Sequence, residues 1–209
     1  MKRILITLAL LISSASFAFA QDGSTMLVGG GFYAAKQVSE GGGTTETCSG
    51  PGFYLAAGMS NNLFKAIDYT MEFFYETYSL DTSNSMADGS LNESNIGYDI
   101  KLMMNFPASD SMALLPYVGC AFMYGLSSKG TTTVGGTNTT YNSYNSDDMG
   151  GVNYQRMDTF LIAGAAVNVG PSIRVDIGAW FGMWNRITNV EGAKTKDGTN
   201  LRLGVYYMF

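Results

Sequence analysis

The sequence has no histidine, few charged residues, and no long apolar run beyond its amino-terminal segment. Charged residues make up 14% of the chain, against about 25% in ordinary soluble domains. The nearest candidate for a membrane helix, Met112 to Leu126, is interrupted by Pro116, Gly119 and Gly125. A spanning helix needs about 18 or more predominantly apolar residues. The sequence therefore excludes a helical membrane protein after the amino-terminal segment.

The absence of histidine argues against an enzyme. Histidine is the side chain that most often transfers protons near neutral pH. Glu72 and Glu76 form a carboxylate pair, but they lie on one face of a predicted strand, which favours lining of an interior. We therefore expect no catalytic residues and no cofactor.

The two cysteines, Cys48 and Cys120, are expected to be free thiols. An exported compartment permits a disulfide, but Cys48 lies in a Gly/Thr-rich loop and Cys120 in the middle of a predicted strand. Neither has a neighbouring histidine that would indicate a metal site or a nucleophile. The acidic balance, with a pI near 4.6, argues against nucleic acid as a partner.

The amino terminus is predicted to be a secretory signal peptide. Lys2 and Arg3 precede a short apolar run, and Ala18-Phe19-Ala20 forms a small-x-small cleavage motif. Cleavage after Ala20 leaves residues 21–209 as one domain, and the loss of the two basic residues takes the formal charge from −5 to −7. The alternative is an uncleaved membrane anchor, for which the run is short.

Eight strands are predicted in the mature chain, several with clear alternation of apolar and polar residues. In the last strand Leu201, Leu203, Val205, Tyr207 and Phe209 alternate with a mixed face. Abundant glycine (26), tyrosine (13) and phenylalanine (12) suits a sheet whose outer face meets lipid. The predicted strands are Met26–Lys36, Gly52–Met59, Ala66–Leu80, Asn95–Phe106, Leu115–Leu126, Tyr154–Val169, Ile173–Trp184 and Leu201–Phe209.

The connections between these strands alternate between long and short. Long loops are predicted at Gln37–Pro51, Asp81–Ser94, Ser127–Asn153 and Asn185–Gly198, with short turns between them. Short turns on one rim and long loops on the other are typical of outer-membrane barrels. The barrel must close on itself because an open sheet edge in hydrocarbon leaves backbone groups without partners. The predicted fold is therefore an all-β, transmembrane, eight-stranded antiparallel up-and-down barrel with four long extracellular loops.

Charged side chains fall on the predicted inner faces and not on the outer faces of the clear strands. An eight-stranded lumen is only just wide enough for side chains to fill it, so these charges must pair. We expect a middle group of Glu72, Asp99 and Lys101, and two further groups. The upper group is Glu76, Arg156, Asp158 and Arg202, and the lower group is Asp68, Arg174 and Asp176. Two interpretations stay open: a structural plug of ion pairs and water, or an ion gate or narrow conduit.

The carboxyl-terminal segment resembles the β-signal that the outer-membrane assembly machinery reads. It has a polar residue, Arg202, then Gly204, and then Tyr207 and Phe209 two positions apart. Leu115–Gly119 also resembles a strand opening common among small eight-stranded outer-membrane barrels, the OmpA/OmpX/OmpW-like group. The resemblance covers the mature chain and implies a monomeric barrel in a Gram-negative outer membrane, in contact with lipid, lipopolysaccharide and the assembly machinery.

Two classes of function follow from this resemblance and from the lumen pattern. The first is a non-enzymatic envelope protein, structural or adhesive, that works through its outer loops. The second is a porin-like narrow channel or carrier for small or hydrophobic solutes, favoured if Phe74, Phe160 and Trp180 line a dry bore. Two loop features also have open interpretations: Asp147-Asp148 as a cation site or solvated pair, and a mildly basic last loop that meets lipopolysaccharide phosphates or only solvent. That loop contains Arg186, Lys194 and Lys196.

Overall fold

The computed structural model describes residues 24–64, 66–82, 88–109 and 111–209. The predicted signal peptide, residues 1–20, lies outside the described residues. Within those ranges no helix is long and apolar enough to cross a membrane. Regular structure in the described part of the chain consists of strands and turns. The strands are β1 (Thr25–Gly41), β2 (Thr44–Phe64), β3 (Ile67–Asp81), β4 (Asp88–Met104), β5 (Phe106–Ser109), β6 (Met112–Val134), β7 (Thr137–Asn142), β8 (Met157–Val169), β9 (Ile173–Gly182), β10 (Lys194–Asp197) and β11 (Thr199–Met208).

Eight long strands form a closed antiparallel ring. Its order is β1, β2, β3, β4, β6, β8, β9 and β11, and β11 pairs back onto β1. The three short strands lie beside this ring: β5 and β7 pair with β6, and β10 pairs with the outer end of β1. The predicted all-β, eight-stranded fold is confirmed. Because the ring closes within one chain, the ladder has no open edge at membrane depth.

The two faces of the ring follow the predicted alternation. In β11, Leu201, Leu203, Val205 and Tyr207 are exposed, whereas Arg202 and its inner-face neighbours are buried. The outside of the barrel is thus a continuous apolar surface, and the inside is packed. This is the inverse of a soluble barrel and suits a solvent of lipid.

Glycines in β1 explain why its alternation is indistinct in sequence. A Cβ on Gly31 would overlap the backbone carbonyl oxygen of Leu203 in β11, and a Cβ on Gly29 would overlap that of Val205. Glycine at these positions permits a close approach of β1 to β11, the pair that closes the ring. A strand selected for close approach contains fewer large apolar residues and therefore shows a weaker period.

The prediction of long loops was wrong for much of the outer rim. Residues 37–51 continue the ladder of β1 and β2 and turn at Gly42-Gly43, where φ is +57° and +81°. Strands β6 and β7 turn in the same way at Gly135-Gly136. Positive φ at both central residues matches the twist of a hairpin, and threonine suits a strand. The Thr/Gly composition therefore specifies tight hairpins that extend two barrel walls outward.

Candidate functional site

The middle of the lumen contains one lysine surrounded by carboxylates. Lys101 Nζ in β4 lies 3.0 Å from Glu72 Oε2, 3.8 Å from Asp99 Oδ2 and 3.7 Å from Asp176 Oδ2, and its side chain is 3% exposed. We call these four residues the central cluster. Two tyrosine hydroxyls complete it: that of Tyr117 donates to Asp176 at 2.7 Å and that of Tyr206 to Glu72 at 3.0 Å.

Asp176 was predicted to lie lower, near the periplasmic end, but it joins the central cluster. Its strand, β9, is three places from β4 around the ring. Strands in a barrel are tilted and staggered. Two residues that lie the same number of positions from the ends of their strands can therefore lie at different heights in the barrel. The long lysine side chain also spans part of the remaining distance.

The second layer is a cation enclosed by aromatic rings. The guanidinium of Arg202 lies 3.3 Å from the ring centroid of Trp180 and 5.2 Å from that of Phe74, and it donates to Glu76. Tyr33 and Tyr54 also lie within cation–π distance of it. We call this group the arginine stack. Cation–π contacts strengthen when they are desolvated, so the stack compensates for the burial of the guanidinium.

The possible dry bore near Phe74, Phe160 and Trp180 is occupied by the rings themselves. The ring centroid of Trp180 lies 5.4 Å from that of Phe74 and 5.7 Å from that of Phe160. Between the arginine stack and the central cluster there is a cavity of about 10 Å³. Such a volume holds about one water molecule. The cross-section therefore leaves no space for a solute at this level.

The third layer lies near the outer mouth, and of its charged members only Asp158 was among the predicted lumen charges. Arg186, in the segment between β9 and β10, places Nη1 3.0 Å from Glu93 Oε2 and 3.4 Å from Asp197 Oδ1, and its side chain is fully buried. The hydroxyls of Tyr78 and Ser128 also donate to Glu93. Arg186 itself donates to the hydroxyl of Tyr144 at 3.0 Å and lies 4.5 Å from the ring of Tyr154. We call Glu93, Asp158, Arg186 and Asp197 the outer cluster.

Two members of the outer cluster had a detectable sequence signal. Glu93 keeps the alternation of Asn95, Asp99 and Lys101, and Asp197 alternates with exposed lysines, so both continue an inner face beyond the predicted strand ends. Arg186 lies in a segment without a two-residue period, and only the folded structure shows that it turns inward.

Four of the predicted lumen charges take no part in these ion pairs. Arg156 is half-buried, donates to the carbonyl oxygen of Gly125 at 2.9 Å and lies over the ring of Tyr144. Asp68 is half-buried and accepts from Asn62 at 2.7 Å. Arg174 is buried and donates to Asn168 at 2.9 Å. Asp158 is buried but accompanies the outer cluster, and not Glu76 and Arg202 as predicted.

The outer cluster has three carboxyl groups for one guanidinium. Burial raises the pKa of Asp197 well above its ordinary value, against the opposing effect of Arg186 and with the help of neighbouring Asp158. Burial by itself lowers the pKa of Arg186, but Glu93 and the surrounding groups raise it well above the ordinary value. The surplus of carboxyl groups therefore makes Asp197 easier to protonate than an ordinary aspartate, whereas Arg186 stays charged.

The substitution Asp197→Asn is expected to flatten the pH dependence of stability. An acid whose pKa is raised by folding stabilises the protein at low pH, and this contribution is lost as pH rises from about 4 through the folded pKa. Asparagine resembles the protonated carboxyl group and does not titrate. The melting temperature of the variant in detergent should therefore equal or exceed that of the wild type at alkaline pH. Asp88→Asn, at an exposed position, is the control and should leave the wild-type profile unchanged.

The proposed assembly residues point to opposite sides of the wall. Tyr207 and Phe209 are exposed and stack with ring centroids 6.0 Å apart. Arg202 and Gly204 face inward, and a Cβ on Gly204 would overlap the hydroxyl of Tyr54. Two of the four residues therefore already have a packing role inside the finished barrel.

Comparison with known proteins supports the architecture. No protein-family model and no curated protein matches the sequence. Among solved structures, the chain is similar to surface protein A of Neisseria, with a TM-score of 0.50 and 16% identity over 90% of this chain and 100% of that one. It is also similar to Ail, the attachment invasion locus protein of Yersinia pestis, with a TM-score of 0.47, 14% identity and the same coverage.

The closed ring, the apolar exterior and this likeness in fold agree. The chain has the fold of a small outer-membrane β-barrel. Its apolar belt is suited to contact with membrane lipid, and its three charged layers lie inside the wall. The hairpins β1–β2 and β6–β7 extend from the end opposite to the short turns.

Proposed function

We propose that this protein is a non-enzymatic outer-membrane barrel that acts through its outer end and does not conduct solutes. One observation carries the proposal: the lumen is filled at three successive levels by the central cluster, the arginine stack and the outer cluster. Each level joins separate parts of the ring through buried side chains. The absence of histidine from the whole sequence supports a non-enzymatic role.

The outer hairpins supply the surface for this role. Strands β1 and β2 pair without interruption up to Gly41 and Thr44. The tips are rich in exposed, uncharged threonines, including Thr44, Thr45, Thr137 and Thr139. A rigid ribbon of hydroxyl groups is suited to recognition by hydrogen bonding, because little conformational entropy is lost on binding. A surface or adhesive partner would meet these tips first.

A monomer is the proposed state, and the carboxyl-terminal strand is the proposed contact with the assembly machinery. The ring closes within one chain, so no backbone edge needs a second copy. Tyr207 and Phe209 project outward from the strand that pairs with β1. Before closure these two rings and the free edge of β11 are accessible together, which suits recognition during insertion.

A narrow channel or carrier is the second candidate. The observation in its favour is that the outer cluster depends on Arg186, which lies between β9 and β10 outside the eight long strands. Movement of this segment would open the outer level without breaking the ring. The arginine stack and the central cluster would still fill the lumen below it.

Planar-bilayer recording of the refolded mature protein tests the proposal. The filled lumen predicts no current steps above the lipid baseline, with an open porin recorded under the same conditions as the positive control. Regular, reproducible steps from the unmodified protein would contradict the sealed lumen and favour the channel.

A further inference from the structure

Exposed lysines are concentrated on one side of the outer rim. Four lysines are exposed in the described part of the chain, and three of them, Lys36, Lys194 and Lys196, lie on β1 and its partner β10. The fourth, Lys129, is on β6, away from this pair. Lys194 and Lys196 alternate with Thr195 and Asp197, which are buried, so both ammonium groups face away from the lumen.

Two of these lysines, Lys194 and Lys196, border a recess on the outside of the wall. The recess has a volume of about 230 Å³ and is lined by Val38, Glu40, Met183, Asn185, Lys194 and Lys196. It contains two cationic side chains and one carboxylate, so it is net positive in a protein that is net negative overall. The recess therefore has the charge complementary to an anionic group.

The residues around the recess are typical of the level where lipid headgroups begin. Lys36 follows Ala34 and Phe32 on the same outward face of β1, and one strand step of two residues rises about 7 Å. Trp184, next to the recess-lining Met183, is half exposed. Tryptophan is enriched at the boundary between lipid and water. The lysines above this boundary can extend along the wall and keep their ammonium groups among headgroups.

A lipid-facing groove continues below the lysines. It has a volume of about 930 Å³, is almost entirely apolar, and includes Phe32, Ala34, Pro51, Ala163, Ala179 and Leu201. Pro51, Ala34, Leu201, Ala179 and Ala163 are successive cross-strand partners, so they form one row around the barrel. Alanines in this row leave a depression beside the exposed ring of Phe32. The depression and the lysines are joined through β1, where Ala34 lies two residues from Lys36.

We propose that this face binds one phosphate-bearing glycolipid of the outer leaflet. Lys194, Lys196 and Lys36 hold the phosphate, and an acyl chain lies in the groove below. The combination of positive recess, boundary tryptophan and apolar groove fits an amphiphile with an anionic headgroup better than a soluble anion, which needs no groove. The inference rests on the proposed seating in the membrane and is independent of the sealed lumen.

Binding of purified lipopolysaccharide to the refolded mature protein in detergent micelles tests this site. The double variant Lys194→Gln/Lys196→Gln should bind at least about ten-fold more weakly, since each basic residue near an anionic surface contributes about five-fold in affinity. Lys129→Gln is the matched control and should bind as the wild type does. Glu40→Gln removes the carboxylate from the recess and should bind more tightly. All four positions are exposed, so the barrel should fold in each variant.

Three results would overturn the site. One is equal affinity of the double variant and Lys129→Gln. Another is unchanged binding of dephosphorylated lipopolysaccharide, which would exclude phosphate recognition. The third is equal binding to vesicles of phosphatidylglycerol, which would show a general attraction to anionic lipid. If the wild type conducts current but its lipopolysaccharide binding still depends on Lys194 and Lys196, only the sealed lumen is contradicted. If the wild type conducts no current and its lipopolysaccharide binding does not depend on these lysines, only this site is contradicted.

Discussion

Replacing Arg202 by alanine is expected to lower the free energy of unfolding of the barrel by about 3–5 kcal/mol, the usual cost of removing one partner of a buried ion pair. The change leaves the carboxylate of Glu76 buried without its cation, and Asn95 is its other described hydrogen-bond partner. It also leaves a void among Tyr33, Tyr54, Phe74 and Trp180. Urea unfolding in detergent, followed by tryptophan fluorescence, measures the loss directly because Trp180 lies against the guanidinium.

Two control variants separate charge from volume. Adding Glu76→Gln to Arg202→Ala removes the unpaired carboxylate and should restore part of the lost stability. Leu203→Ala changes the adjacent outward position, which faces lipid, and should have a smaller effect. Refolding from urea without the assembly machinery keeps this experiment independent of any assembly role of Arg202. Unchanged stability and no conductance for both Arg202→Ala and Glu72→Ala would show that the paired lumen is wrong.

Replacing Arg186 by glutamine is expected to open the outer level of the lumen while the eight-stranded ring stays intact. Glutamine keeps hydrogen-bonding capacity but loses the charge that balances Glu93 and Asp197. Because Arg186 lies outside the strands, we expect the segment around it to open locally and admit water, without global unfolding of the ring. Arg186→Gln should lower the free energy of unfolding of the ring by less than Arg202→Ala does.

Hydrogen exchange of backbone amides measures this opening. The amide of Arg186 donates to the carbonyl of Thr195 at 2.6 Å, and that of Gln155 donates to the carbonyl of Arg186 at 2.7 Å. Both amides should lose protection in Arg186→Gln, whereas amides in β11 should not. Lys196→Gln, an outward-facing change in β10, is the matched control and should preserve protection. Equal protection in the wild type and in Arg186→Gln would show that Arg186 does not hold the outer level closed.

The faces of the strands were predictable because one physical alternation acts along each strand. Successive side chains meet lipid and the packed lumen in turn, so Leu203 and Arg202 have opposite requirements one residue apart. The close approach of β1 to β11 removed that signal at Gly29 and Gly31, where the backbone of the neighbouring strand leaves no space for a side chain. The strand was still identifiable, but its bounds were too short.

The heights of the lumen charges were not predictable from the sequence. They depend on the stagger between strands, which is set by closure of the whole ring. Lys101 and Asp176 therefore meet, although their positions along their own strands predict different levels. Arg186 was missed for a different reason, since its inward position depends on contacts with Glu93, Tyr144 and Tyr154 that come from two distant parts of the chain.

A thiol placed inside the wall tests the sealed lumen most directly. Ala56 is buried and lines the small cavity between the arginine stack and the central cluster, so Ala56→Cys adds one sulfur atom where some space exists. Cys48 and Cys120, both free, are first replaced by serine. The measurement is the rate at which a charged, water-soluble thiol reagent modifies this cysteine in the folded barrel. The account predicts no modification until the barrel is unfolded, with faster reaction when Arg202→Ala is added; prompt modification of the folded barrel with Arg202 and Arg186 intact would contradict it.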